Sequence, residues 1–559
     1  MTDVTASPQL LLGPVLRWVD AARATIWLQI DRPCVVEVRA GPARSQGATF
    51  TAYGRHYALV TVTGLPEGAA TPYQVRLDGQ PVWPPPGSPF PPSVIRTLNH
   101  DAPLRLGFGS CRHSTQRAID LGYPPDALDT YAIALAAGEM PFPDYLIMLG
   151  DQVYADETSP GTRRFLRRRR RRRRQQSHRP ATQVTDFAEY TQLYLESWSD
   201  PELRWLLSTV PSMMIFDDHE VIDDWNTSAA WRRMIREQPW WQERITGALA
   251  SYWVYQHLGN LSPDELAHDP LFKAVHDADD AAVVLREFAR SADAEADGAS
   301  GPRWSYRIDL GRTRVLMLDT RCSRVLDESH RDMLPEAEWR WLLEQLPGDY
   351  DHLVIGSSLP WLLPPAIHEV EGWNETLCRS PRRRVAAASE WLRQAVDLEH
   401  WAAFRGSFDR LGDLLADVAQ GRFGARPATV TVLSGDVHHT YLAKADWSRR
   451  PGGAALAAAA APIHQITCSP LHHQAPHALR MGFHIGWTRG AELIGRALAR
   501  LAGNTRASMR WHKVAGPYFQ NALGLLTHQG RSAHLALHGV RRPAPGSTEL
   551  TTLERNQLS

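Results

Sequence analysis

The sequence predicts a layered α/β protein preceded by a small all-β sandwich, and three observations carry that expectation. Residues 9–98 read as short strands, alternating apolar and polar, broken by turns. Beyond residue 100, short β-rich runs that are apolar on both faces recur between long helical stretches, the pattern of a buried sheet covered by helices. Between the two textures lies PPPGSPFPPS (84–93), a stiff proline-rich segment that marks a boundary near residue 98.

In chain order, the N-terminal strands are ATIWLQI, CVVEVRA, HYALVTV and PYQVRLDG, with TGLPEG as a turn. The passage VTGLPEG…TPYQVRLDG resembles a fibronectin type III repeat, which implies an N-terminal β-sandwich over 9–98. The second domain is expected over 99–545. Its core strands are LRLGFGS (104–110), DYLIMLG (144–150), SMMIFDD (212–218), RVLMLDT (314–320), HLVIGSS (352–358) and ATVTVLSGD (428–436). Helical texture fills 186–207, 229–258, 335–346 and 388–420. A loop insertion is expected at about 161–182, around RRFLRRRRRRRR.

A chain of 559 residues exceeds one ordinary core, so more than one domain is expected. Basic and acidic residues both number 61, but ten arginines sit in the single stretch Arg163, Arg164 and Arg167–Arg174. Setting these aside leaves 51 basic against 61 acidic residues, so the rest of the chain is net acidic. Five scattered cysteines do not form a disulfide framework, and Cys34, Cys322, Cys378 and Cys468 read as ordinary packing. MTDVTASPQLLLGPV has neither a basic, apolar leader pattern nor a twin arginine, and the small-apolar run at 454–463 is about half a membrane span. A cytoplasmic location is therefore expected.

The ends of the core strands carry the chemistry, since loops there open a crevice in α/β sheets. Strand 104–110 runs into Cys111, Arg112 and His113; strand 145–149 runs into Asp151 and Tyr154, with Gly150 letting the backbone turn. Strand 212–216 runs into DDHEVIDDW, offering Asp217, Asp218, His219, Glu220, Asp223 and Asp224; strand 428–434 runs into GDVHHTY, offering Asp436, His438 and His439. Singly, each set has an ordinary explanation: a turn, a buried thiol, a helix cap. Together they are hard to explain as packing, because carboxylates sharing a crevice repel unless cations neutralise them. Thiolate and phenolate favour a Lewis-acidic transition metal, and carboxylates accept calcium, manganese or magnesium. A two-metal site sharing a bridging carboxylate is the economical reading.

FGSC, GDQVYAD, DDHEV and SGDVHHTY, in this order, resemble the signature blocks of PhoD-like phosphatases, the alkaline phosphatase D family of calcineurin-like metallophosphoesterases. The resemblance implies a four-layer α/β-β-α sandwich over roughly 100–540, and hydrolysis of phosphate mono- or diesters by a metal-bound water or hydroxide at a binuclear centre. It implies iron(III) beside calcium, with manganese, magnesium or zinc as alternatives. Cys111 and Tyr154 would bind iron, Asp151 would bridge, Asp218 would bind the second metal, and Asp436 and His438 would complete the set, with His439 as an additional candidate. His219 would be general acid or phosphate contact, and the forked donors of Arg112 and Arg321 could contact phosphate. Trp225 and Trp361 adjoin site segments and could wall the pocket. The chain departs from the wider superfamily in opening its first block with Cys111 and in having Ser357 and Ser358, not a histidine, within VIGSSLPWLLP (354–364).

The arginine run belongs to no motif of that family. It reads as a solvated loop that could draw polyanionic substrates. It also supports the rival class of function: an inactive phosphatase-like protein bound to nucleic acid or another anionic surface through this loop. No obligate protein partner is inferred.

Overall fold

A computed structural model describes residues 7–172, 178–447, 460–504, 507, 509–544 and 546–559. Arg173, Arg174 and most of the alanine run at 454–463 lie outside them.

The fold is mixed α/β with several sheets. Near the N-terminus, Leu10–Val19, Arg23–Ile30, Arg55–Thr63 and Phe50–Ala52 form one antiparallel sheet. Ala43–Ala48, Val35–Ala40, Ala70–Leu77 and Gln80–Trp83 form a second, with Val94–Arg96 paired to Ala70–Leu77. Arg17 ties this region to the rest of the chain. Its buried guanidinium donates to Gln256 O (2.6 Å) and Asn260 Oδ1 (3.0 Å).

Two larger sheets position the site. In the first, Ser212–Ile215, Tyr145–Leu149 and Leu104–Gly109 run parallel, and Ala522–Gln529, Ser532–Arg541 and Glu549–Gln557 continue it antiparallel. In the second, Thr313–Leu318, His352–Ser357, Thr429–Ser434 and Ile463–Thr467 run parallel, flanked by antiparallel Tyr306–Leu310, Thr440–Asp446 and Arg510–Tyr518.

Side-chain alternation explains why these strands are apolar on both faces. Phe108, Ile147, Leu149 and Met213 share one core with Met317, Val354, Leu433 and Ile466 of the other sheet. The alternate residues Leu146, Met148 and Met214 pack instead with Leu128, Tyr194 and Leu206 of helices, and Leu316, Ile355 and Val432 with Trp339, Phe408 and Leu411.

The expectation of a loop over 161–182 is corrected in part: Pro160–Arg172 is a helix. Arginine is a good helix former, and Thr162, Leu166 and Arg170 give the helix a buried side. Arg170 makes a forked contact with buried Glu189 (2.9 and 2.8 Å), and Arg169 pairs with Asp186 (2.7 Å). Arg164, Arg167, Arg168, Arg171 and Arg172 remain exposed. No helix among the described residues is long and apolar enough to cross a membrane.

Candidate metal centre

Each parallel strand of the first sheet ends at the same edge, so Cys111, Asp151 and Asp217–Asp218 meet there, and the end of Thr429–Ser434 brings Asp436 from the second sheet. The turns are hydrogen-bonded to one another. Cys111 N–H donates to Gly150 O (3.2 Å), Arg112 N–H to Asp151 O (3.0 Å) and Asp436 N–H to Ser110 Oγ (3.2 Å). Buried Glu220 clamps two turns together, accepting from the backbone N–H of Asp151 (3.0 Å), Gln152 (2.7 Å) and Asp217 (2.8 Å).

Cys111, Asp151, Asp436 and His438 all have positive φ: 59°, 54°, 66° and 46°. Non-glycine residues rarely adopt this left-handed conformation, and its cost persists where the surrounding structure enforces it. Here it brings the ligand atoms of Cys111, Asp151 and His438 together and sets Asp436 beside Asp217 and Asp218. Gly150, at φ 107°, precedes Asp151; a Cβ on it would lie 2.5 Å from Asp217 Cβ, so only glycine lets the two turns approach.

The donor atoms converge. One ligand atom each from Cys111, Asp151 and His438 lies within 4.8 Å of the others, as do those of Asp151, Asp218 and His219, and of Asp217, Asp218 and Asp436. Asp151 belongs to two of these sets. Tyr154 Oη donates to Asp151 Oδ2 at 3.3 Å. Asp151, Asp218, His219, Asp436 and His438 line a cavity of about 230 Å³ whose walls include Leu363, Ile367, Leu479 and Phe483. A larger surface hollow, about 790 Å³, is lined by Arg232, Asp297 and Glu328 and shares no residue with this one.

The electrostatics call for cations. Burial, then the carboxylates of Asp217, Asp218 and Glu220, push the Asp151 carboxyl well up despite the pull of His219. Burial, Asp151 and Asp436 do the same to the Cys111 thiol, and burial leads the rise of the Tyr154 phenol. Oδ1 of Asp151 and Oδ2 of Asp217 are buried without a hydrogen-bond partner. His438 is brought down to about 4 by burial, so it stays neutral, the ligating form of imidazole. Thiol, phenol, carboxylates and neutral imidazole around orphaned buried oxygens fit a metal centre, and the cysteine-containing set fits a transition metal.

Part of the negative charge is met by the protein. Arg321, fully buried, contacts Asp217 and Glu399 and lies 3.4 Å from both Asp218 Oδ1 and Asp436 Oδ1. His400 Nε2 donates to Asp436 Oδ2 (2.9 Å) while Nδ1 lies 2.8 Å from Glu371 Oε1. Burial would lower His400, but Glu371 and Asp436 outweigh it and hold it well above its usual value. No histidine follows His352–Ser357; Ser358 Oγ donates to Asp217 Oδ1 (3.0 Å), and the imidazole beside Asp436 enters from His400 instead.

Several sequence candidates are not brought to the cluster. The Arg112 guanidinium is turned into a buried network with Asp126 (2.7 Å), Asp200 (3.1 Å) and Ser197 O (2.8 Å). His439 stacks on Tyr441, lies against Phe483, and has Nδ1 2.8 Å from Val437 O. Arg321 reaches the acids, but as their buried counter-ion. Trp225 and Trp361 are fully buried core residues and do not line the cavity. Cys34, Cys322, Cys378 and Cys468 are free thiols.

Sequence reasoning missed Glu371, Glu399 and His400, and it noted Asp156 beside Asp151 and Tyr154 without giving it a role. Asp156 lies five residues past Asp151, within the same block, and that proximity was the available signal. Glu399 and His400 follow a helix rather than a strand, so no strand-end pattern marks them.

A family model described as PhoD-like phosphatase matches residues 121–491, and a domain of unknown function (DUF7800) matches residues 7–95. No curated protein matches the sequence. A solved structure described as "Structure of PhoD" aligns with a TM-score of 0.58 and 11% identity, covering 100% of this chain and 94% of that one. At that identity the likeness is one of fold.

Proposed function

Since the chain belongs to the PhoD-like phosphatase family, we propose that it is a metal-dependent phosphoesterase working at the strand-end cluster. The observation that carries this reading is the convergence of Cys111, Asp151 and His438, each in a left-handed turn, with their ligand atoms within 4.8 Å. In this reading Cys111, Tyr154, Asp151 and His438 would hold one metal, iron(III) being the species suited to thiolate with phenolate. Asp218 and Asp436, with Asp151, would hold a second, an oxygen-preferring ion such as calcium. When bound, the metals supply an activated water and neutralise charge on the phosphoryl group.

The remaining work falls to the chain's own groups. His219 Nδ1 donates to Asp156, leaving Nε2 as the proton carrier for the leaving oxygen. Burial would lower His219, but Asp156, Asp218 and Asp151 outweigh it and keep it protonated. Arg321 and His400 orient Asp217 and Asp436, and the two cations together keep Asp436 ionised. Leu363, Ile367, Leu479 and Phe483 shield one side of the cavity from water and give an ester's organic group an apolar wall. The alternation of side chains between the two large sheets and their helices supports the four-layer α/β-β-α reading. The two antiparallel N-terminal sheets support a β-sandwich over 9–98.

Initial rates on p-nitrophenyl phosphate and bis-p-nitrophenyl phosphate test the reading and set its class. A rate excess on the first marks a monoesterase, and on the second a diesterase. Failure on both, by metal-loaded protein, removes the proposal. The exposed arginines of Pro160–Arg172 would then carry the rival reading, a polyanion-binding protein.

A further inference from the structure

Beside the strand-end cluster, three side chains that hydrolysis leaves unused come together. His113, Glu157 and His473 each place one ligand atom within 4.8 Å of the other two. They arrive from separate stretches: the segment after Cys111, the loop after Tyr154, and the loop after Ile463–Thr467. His113 is 1% exposed and its Nε2 has no hydrogen-bond partner; Nδ1 of His473, 9% exposed, has none either. His473 Nδ1 is orphaned and His113 Nε2 has only the Glu157 carboxylate at 3.5 Å, and such buried nitrogens are costly unless a ligand uses them.

The rings are held in place. His113 stacks on Tyr154 with centroids 3.7 Å apart and on His473 at 4.7 Å, and His473 stacks on His438 at 4.0 Å. His113 N–H donates to His472 O (3.0 Å). His473 N–H donates to Asn521 Oδ1 (3.2 Å), whose Nδ2 donates to the carbonyls of Pro124 and Pro125. Glu157 completes the set with Oε2 3.5 Å from His113 Nε2, and its half-exposed side chain gives an ion a way in. Arg117 approaches the same oxygen at 3.7 Å.

We propose that His113, Glu157 and His473 form a metal site separate from the strand-end centre, one that takes a borderline transition metal such as zinc. Two imidazoles and a carboxylate are the donors zinc uses when it keeps a fourth position open, and they are too few and too nitrogen-rich for calcium. The site adjoins Tyr154 and His438, so an ion here adds positive charge beside the cavity where a phosphate ester would lie. Arg117 competes with the ion for Glu157.

The test is zinc stoichiometry and affinity of the chelator-stripped full chain, by elemental analysis and calorimetry with Zn2+ alone. Circular dichroism confirms that each variant is folded. The expected result is that Glu157→Gln and His473→Gln bind one equivalent fewer than wild type, or bind it at least about tenfold more weakly. Cys111→Ser should keep that equivalent, and Arg117→Ala should tighten it. Wild-type stoichiometry and affinity in both Glu157→Gln and His473→Gln overturn the site. So does loss of the same equivalent in Cys111→Ser, which would make these rings part of the strand-end centre. Because the readout is zinc bound and not turnover, an inactive protein leaves the test intact.

Discussion

His219 Nδ1 donates to Asp156 Oδ1 at 2.9 Å, and the same carboxylate accepts the backbone N–H of Asp223 at 2.8 Å. Burial would raise Asp156, but His219 and Arg244 hold its carboxyl well below the usual range, so a buried charge fixes the ring's orientation. With Nδ1 committed, Nε2, which lies 3.7 Å from Asp223 Oδ1, is the nitrogen left to serve the leaving oxygen. His219→Asn should lower kcat by about 100-fold or more on an alkyl phosphate and far less on p-nitrophenyl phosphate, whose leaving group needs no proton. Asp156→Asn should show the same substrate split at smaller size. Equal losses on both substrates would refute an acid role.

Arg321 tests whether the protein's own cation holds the acids together. It is fully buried against Asp217 and Glu399, so removing it strands buried carboxylates. Arg321→Met should cost about 3–5 kcal/mol in urea unfolding. Arg321→Lys should recover little, because a single ammonium cannot reproduce the fork. A near-neutral Arg321→Met would show that the acids are neutralised otherwise.

Gly150→Ala probes the approach of two turns. The added methyl meets Asp217 Cβ at 2.5 Å and demands φ 107° of an alanine. The variant should lose about 1–3 kcal/mol of stability and bind metal more weakly, as read by unfolding and elemental analysis. Unchanged stability would mean that the turns can part freely.

The acid limb of stability follows from buried neutral histidines. Burial holds His257 and His439 down to about 3 and His464 to about 4. Their folded values lie below the unfolded value of about 6.5, so the unfolded chain binds more protons below that pH. This stability is complete above about pH 6.5 and falls on acidification toward pH 4, each residue contributing up to about 1.4 kcal/mol per pH unit. Unfolding free energy should decline over that window, and His257→Phe should flatten the slope. A pH-independent stability there would contradict the burial of these rings.

Within the arginine run, position decides effect. Arg170→Ala removes the forked contact with buried Glu189, leaving it Arg169 at 3.0 Å, and should cost about 1–3 kcal/mol, whereas exposed Arg168→Ala should stay within about 0.5 kcal/mol. Equal effects in thermal unfolding would refute the docked helix.

The candidate ligands were legible because a run such as YLIML, buried on both faces, ends abruptly in Gly150 and Asp151, a break that packing does not explain. The core strands were legible for the same reason. Among the strands after residue 440, Arg510–Tyr518 and Glu549–Gln557 were not: they have at most one buried residue each and lack an apolar run. Pro160–Arg172 looked like a solvated loop because its composition hides the partner, Glu189, that lies 19 residues from Arg170. Arg112 and Arg321 could not be told apart in sequence, since each follows a strand-end residue. Only the placement of Asp126 and Asp200 for one, and of Asp217 and Glu399 for the other, separates them. His400 was invisible because its partners, Glu371 and Asp436, lie 29 and 36 residues away.

Hydrolysis at the strand ends, as proposed, depends on metals that Asp151 would help to hold. Elemental analysis and p-nitrophenyl phosphate turnover, measured together on wild type and Asp151→Asn, test it most directly. A transition metal with a second cation is expected in the active wild type, and loss of both metal and turnover in the variant. An Asp151→Asn protein with wild-type metal content and wild-type turnover would contradict it.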